Sequence, residues 1–366
     1  MREYLLTFFV ATSVTYLMVG LAGRFAHWVG AVPPTRERDV HRAPVPRLGG
    51  LAMLFGMLAA MLVASYLPRM RSVFEESSDA WALITAAVVI CLVGVADDIW
   101  DLSAMAKFAG QLLAAGLLVA LGVQLVWLPL PGGTFVLPTE QAPLLTVLLV
   151  VGTVNAVNFV DGLDGLAAGV VGIGAAAFFS YAYLLAVEGN ISRMGTPALV
   201  SVVVMGICAG LLPHNVYPAR IFMGDSGAML IGLLLAAGSI TLTGRLPSQD
   251  VEASSFLLTM LPLALPLAII LLPFLDMLLA VVRRARAGRS PFAPDKQHLH
   301  HRLLQVGHSH ARAVMIMWVW AALVSFGVVL IALVGGWTNV AVAAAVLAMA
   351  AFTMGWPKRL LRRRIG

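Results

Sequence analysis

The stretch LLTVLLVVGTVNAVNFVDGLDG, Leu144–Gly165, decides how the chain is to be read. It begins as an apolar run suited to a membrane span and then sets two asparagines and two aspartates within ten positions. An aspartate at the bilayer centre costs about 2.5–3.5 kcal/mol on insertion scales. The polar half therefore belongs at a membrane face, and a cluster of acids there needs something to compensate it.

The whole chain has the character of that first half. Of 366 residues, 60% are hydrophobic and only 11% are charged, and the mean hydropathy is strongly positive. A water-soluble domain does not carry such a surface, so the fold class is an all-α polytopic membrane protein. Apolar runs of spanning length, roughly 17 to 25 residues, fall near 3–23, 48–67, 80–96, 104–125, 142–158, 165–187, 196–213, 225–243, 255–282, 313–334 and 338–356. These predict about eleven transmembrane helices in one integral-membrane domain, 1–366. The first run reads as a retained span, because only Arg2 precedes it and many runs follow. Cys91 and Cys208 lie inside separate apolar runs and read as small hydrophobes.

Basic residues orient the spans. With the amino terminus outside, the inner segments carry 19 Lys and Arg and the outer ones 5, which together are all 24 of the chain. The positive-inside rule then places the carboxyl terminus in the cytoplasm. Cytoplasmic loops are expected near 24–47, 97–104, 159–165, 214–225 and 283–312, with a tail at 357–366. The net charge of +6 is thereby read as topology rather than as a sign of nucleic acid. The ninth run contains Pro262, Pro266 and Pro273, each removing a backbone donor, and predicts a kinked helix. LPLPGGTFVLP, Leu128–Pro138, predicts a small extracellular hairpin turning at Gly132-Gly133.

With this topology ADDIWD (Ala96–Asp101), NFVDGLDG (Asn158–Gly165), HNVYPARIFMGDSG (His214–Gly227) and SPFAPDKQHLHHRLL (Ser290–Leu304) all fall on the cytoplasmic side. Each alone reads as a solvated loop. Together they collect adjacent carboxylates, whose repulsion raises a pKa unless a cation compensates. Asp97-Asp98 and the Asp161/Asp164 pair thus call for a metal or a cationic side chain. No Cys/His zinc spacing is present. Asp and Asn oxygens suit a hard cation such as Mg²⁺, which binds one or two carboxylates while substrate phosphates and water complete its shell. The glycines of DGLDG and GDSG allow close backbone approach and open helices whose amino termini favour anions.

These residues resemble the polyprenyl-phosphate N-acetylhexosamine-1-phosphate transferases (glycosyltransferase 4 type), which include the phospho-N-acetylmuramoyl-pentapeptide translocases. The matching features run in family order from HRAPVPRLGG (His41–Gly50) through Asp97-Asp98, Lys107, NAVNFVDGLDG and NVYPARIFMGDSG to HLHHRLL. The form DKQHLHHRLL is closer to the undecaprenyl/decaprenyl-phosphate GlcNAc-1-phosphate branch than to the pentapeptide enzymes with three consecutive histidines.

The resemblance implies a membrane enzyme that transfers GlcNAc-1-phosphate from UDP-GlcNAc to polyprenyl phosphate on the cytoplasmic face of a bacterial plasma membrane. It would release UMP and start a cell-envelope glycopolymer. UDP-MurNAc-pentapeptide or another UDP-N-acetylhexosamine is the alternative donor. The implied cofactor is Mg²⁺, with Mn²⁺ as a substitute, and a homodimer is left open. The resemblance further implies that Asp97 and Asp98 engage the lipid phosphate, with Asp97 favoured as proton acceptor. Asp225 and Asn158 would hold the metal, and Asp161 and Asp164 would line the nucleotide and metal site. Phe222 would stack on uracil, with Asn215 and Asp164 near the base. His298, His300 and His301, with Arg302, would flank the pyrophosphate and sugar, and Lys107 and Arg47 would neighbour phosphate. A rival of another class, a secondary transporter, would place its acids near the bilayer midplane within inverted repeats. Here the acids gather at one face and no repeat is found.

Overall fold

The computed structural model describes residues 1–32, 44–75, 77–130, 133–188, 195–245, 309–334 and 339–346, with 260, 263 and 348–349 besides. The described chain is mostly helical. Its elements are α1 (Arg2–Val29), α2 (Gly49–Tyr66), a short α3 (Arg71–Glu75), α4 (Asp79–Trp100), α5 (Ala104–Ala120), β1 (Trp127–Leu130), β2 (Gly133–Val136), α6 (Gln141–Val160), α7 (Leu166–Glu188), α8 (Gly195–Asn215), α9 (Gly224–Arg245) and α10 (His310–Val334). Among the described residues, eight helices are long and apolar enough to cross a membrane, namely α1, α2, α4 and α6 to α10. The chain is a polytopic helical membrane protein.

Each of these helices coincides with an apolar run read from the sequence. A helix apolar on every side has no water-facing stripe, so its exposed face must meet lipid. On α1 that face includes Leu17 at 70% exposure and Trp28 at 81%. Helix α9, by contrast, is buried along nearly its whole length and packs against α4, α6, α2 and α8. Gly50 and Gly94 permit this: a Cβ at either would collide with the backbone of Ser226 or Gly227 in the first turn of α9. Small residues thus let α2 and α4 close on the end of α9 that carries Asp225.

The structure differs from the expectation at several places, the first being α1, which runs to Val29 rather than 23. Helix α4 runs four residues past the expected end at 96, which puts Asp97 and Asp98 in its last turn rather than in a loop. Helix α5 stops at Ala120 rather than 125, and the chain then enters the expected hairpin. There β1 pairs antiparallel with β2, from Trp127 opposite Val136 to Leu130 opposite Gly133, and the Thr146 hydroxyl accepts from Leu125 N at 2.9 Å to tie the hairpin to α6. The short α3 was not foreseen. All but two residues of the proline-rich ninth run lie outside the described residues, as does about half of the eleventh.

Candidate active site

Four sequence-distant segments meet at one end of the bundle, and the turn between α4 and α5 is the first. Asp101 adopts a left-handed conformation (φ 52°) that ends α4, and the Asp97 side chain accepts from Leu102 N at 2.9 Å. Ser103 then caps α5, accepting from Ala106 N. This sharp reversal brings Lys107 in the first turn of α5 back onto the Asp97 carboxylate at 2.5 Å.

The two adjacent aspartates have different partners, because neighbours on a helix point about 100° apart. Asp98 faces α9. Its Oδ1 accepts from Asp225 N at 2.9 Å, and its Oδ2 accepts from Ser226 N at 3.1 Å and from the Ser226 hydroxyl at 2.8 Å. It is an N-terminal cap lent to α9 by another helix, where orphan N–H groups and the helix dipole both favour an anion.

Asp97 turns instead toward Lys107. Lys107 Nζ lies between Asp97 and the Asp225 Oδ2, which it meets at 2.8 Å. The Asp97 and Asp225 carboxyls are within hydrogen-bonding reach of each other, and the Asn158 side chain donates to Asp225. The side chains of Lys107 and Asp225 are 29% and 27% exposed, against 5% for Asp97. A ligand can therefore meet the ammonium and Asp225 directly.

The DGLDG turn and the loop before α9 are laced together. Asn215 accepts from Gly165 N at 3.1 Å and donates to the Ile221 carbonyl at 2.9 Å. Asp164 accepts from Ala219 N at 3.0 Å. Both residues are buried, and these bonds give them a tethering geometry. The strip before α2 zips along the same loop: Phe222 N donates to Pro46 O, and Gly49 N and Gly50 N donate to the carbonyls of Phe222 and Met223. Half-buried Phe222 thereby sits next to the Gly224-Asp225 turn. Arg47 is drawn close enough to Asp161 to act on its charge.

Asp161 shows that the cluster is electrostatically unbalanced. Burial first, then the negative charges of Asp225, Asp98 and Asp164, push its pKa up to about 7, and Arg47 opposes them without prevailing. Among the described residues no three His, Cys, Asp or Glu side chains converge closely enough to enclose a metal ion. What is present is a pair of carboxyls, an amide and an excess of negative charge, which fits a hard cation completed by substrate oxygens better than a closed protein cage.

The structure thus brings together Arg47, Asp97, Asp98, Lys107, Asn158, Asp161, Asp164, Asn215, Phe222 and Asp225. His298, His300, His301 and Arg302 lie outside the described residues. Sequence reasoning missed Ser226, although it stands in the quoted GDSG. It also missed Trp318 in α10, whose indole N–H donates to the Gly165 carbonyl at 3.2 Å. The same helix reaches the site again at its start, where His310 stacks on Tyr217 with centroids 4.9 Å apart.

A membrane-embedded helix bundle with a lysine and several carboxylates converging at one end defines a protein built to handle a charged ligand at a membrane face. The chain belongs to glycosyl transferase family 4, whose model matches residues 80–243. It is 46% identical over 332 residues to the decaprenyl-phosphate N-acetylglucosaminephosphotransferase of Mycobacterium leprae, covering 89% of this chain and 83% of that one. It is 28% identical to the undecaprenyl-phosphate alpha-N-acetylglucosaminyl 1-phosphate transferase of Haemophilus influenzae, over 88% and 86% of the two chains. With the phospho-N-acetylmuramoyl-pentapeptide-transferase of Desulforudis audaxviator it shares 29% identity, over 84% and 93%.

Proposed function

We propose that the chain transfers GlcNAc-1-phosphate from UDP-GlcNAc to polyprenyl phosphate at the cytoplasmic face of a bacterial plasma membrane, releasing UMP. The lipid phosphate oxygen attacks the phosphorus that carries the sugar, a new P–O–P link forms, and the bond to UMP breaks. The observation that carries this reading is Lys107 lying between Asp97 and Asp225, with the Asn158 side chain also bonded to Asp225. Phosphoryl transfer asks a protein chiefly for positioning and charge neutralisation, and this arrangement offers both. The GlcNAc donor is favoured because the relative at 46% identity carries GlcNAc in its name.

In this reading Asp225 and Asn158 hold Mg²⁺, which when bound neutralises charge on the donor pyrophosphate. Lys107 and Arg47 draw the phosphates in. Asp97 is the carboxylate that meets the lipid phosphate and takes its proton, since its Oδ2 is held by the Lys107 side chain, whereas both oxygens of Asp98 are committed to α9. Asp98 positions Asp225 by fixing its backbone. Asp161 adds to the field that draws in the metal. Asp164 and Asn215 hold the loop that presents Phe222 to the uracil. His298, His300, His301 and Arg302 attend the sugar and pyrophosphate.

Purified protein supplied with Mg²⁺, polyprenyl phosphate and UDP-GlcNAc should release UMP and yield a lipid carrying GlcNAc through a pyrophosphate, seen by mass spectrometry. Turnover of UDP-MurNAc-pentapeptide with none of UDP-GlcNAc would overturn the donor assignment.

A further inference from the structure

One turn further along α5 than Lys107, α5 and α6 are joined by a pair of amides. Gln111 donates to the Asn155 Oδ1 at 3.3 Å, and Asn155 donates to the Gln111 Oε1 at 2.6 Å. Asn155 also donates to the Val151 carbonyl at 2.8 Å. A carbonyl only accepts, so this third bond fixes which end of the Asn155 amide is nitrogen and gives the pair one arrangement. Gln111 is 3% exposed, and the rest of the buried face of α5 is Ala114, Ala115 and Leu118. A glutamine is costly there unless satisfied.

We propose that Gln111 is a positioning residue for the transfer site, holding α5 and α6 in the register at which Lys107 and Asn158 both reach Asp225. This rests on the transferase reading above. Lys107 and Gln111 are four residues apart on α5, and Asn155 and Asn158 are three apart on α6, so each pair lies along one helix face. The two helices therefore touch Asp225 above and each other below. Sliding or parting them lengthens the Lys107 contact, the Asn158 contact, or both. Helix adhesion alone is the simpler role for such a pair, and interhelical amide bonds in membranes contribute little on average. A register role predicts a different outcome: chemistry fails while the fold persists.

The test uses the full chain in lipid nanodiscs, with Gln111→Leu, which keeps the volume, and the exchange Gln111→Asn with Asn155→Gln, which keeps an amide on each helix. Gln111→Leu is expected to lower kcat about tenfold, the scale on which groups supporting a ligand shell act, with KM for UDP-GlcNAc changed less than about twofold. Mn²⁺ binding, read by electron paramagnetic resonance without turnover, is expected to weaken by a similar factor while the melting temperature holds. The exchange variant is expected to recover most of the lost kcat. Unchanged kcat in Gln111→Leu overturns the proposal, as does a kcat loss that tracks a lower melting temperature with Mn²⁺ affinity intact. If wild-type protein releases UMP yet binds no Mn²⁺, the metal assignment fails separately, and kcat, KM and the exchange variant still decide the role of Gln111.

Discussion

Asp97 and Asp98 are neighbours in sequence, in helix and in burial, yet they belong to different halves of the site. Asp98 is sealed: three donors from Asp225 and Ser226 saturate it and bind the end of α4 to the start of α9. Asp164 and Asn215 are alike, with their bonds directed to backbone groups of the loop beside them. Asp97 instead gives one oxygen to the Leu102 N–H and turns the other to an ammonium that is partly exposed, as is the Asp225 carboxyl beside it. The difference teaches that acidic residues in one motif divide their work. Asp98 gives both oxygens to the start of α9, and Asp97 keeps one for a lysine that a ligand can reach.

The largest effect should come from the unsealed half. Asp225→Asn removes one negative charge where few protein ligands exist, and kcat should fall by about 10²-fold or more, the scale of losing a single charge-stabilising group. The melting temperature should stay near wild type, because the Asp225 backbone bond to Asp98 remains. Near-normal turnover at low Mg²⁺ would remove Asp225 from the metal site and blur the division between the halves.

A smaller effect is expected at the boundary. Phe222→Ala should weaken UDP-sugar binding by about 1–3 kcal/mol if the ring stacks on the base, with kcat much less affected. Nucleotide titration decides this. An unchanged dissociation constant with a lower melting temperature would assign Phe222 to the sealed half as a packing residue.

An effect on stability rather than on turnover is a pH dependence. Asp161 is raised to about 7 in the folded protein, against about 3.9 for an ordinary aspartate, so between these values the folded state holds the proton and the unfolded state does not. Stability then falls as pH rises from about 4 to 7, the sign linkage requires when the native state binds more protons. Thermal melts of metal-free protein should show this fall, and Asp161→Asn should flatten it. A slope of the opposite sign would mean that a cationic side chain already compensates the carboxylates.

Much of this division could not be read along the chain. The spans could, because a bilayer leaves a helix no polar face, and runs such as 142–158 and 196–213 announce themselves by length alone. The gathering of acids at one end followed from counting turns across the membrane. The partition between Asp97 and Asp98 did not, because it depends on Ser226, which is 128 residues away in sequence. Nor did the extension of α4, since charged residues at the end of an apolar run look like a loop until Lys107 and the amino terminus of α9 are known to face them. Gln111 left a signal that went unread, a lone amide four residues after Lys107 in an apolar helix. The histidine loop around His300 and His301, lying outside the described residues, stays an expectation from the sequence.

The most direct test of the divided site is a comparison of Asp97→Asn and Asp98→Asn in the same preparation, measuring turnover of UDP-GlcNAc and melting temperature for both. Asp97→Asn should lose turnover by on the order of 10²-fold at an unchanged melting temperature. Asp98→Asn places an NH₂ against donors that need an acceptor and exchanges charged hydrogen bonds for neutral ones, so it should cost about 1–2 kcal/mol of stability and lower the melting temperature. Equal melting temperatures with equal losses of turnover would contradict the account, because the two carboxylates would then be doing the same work.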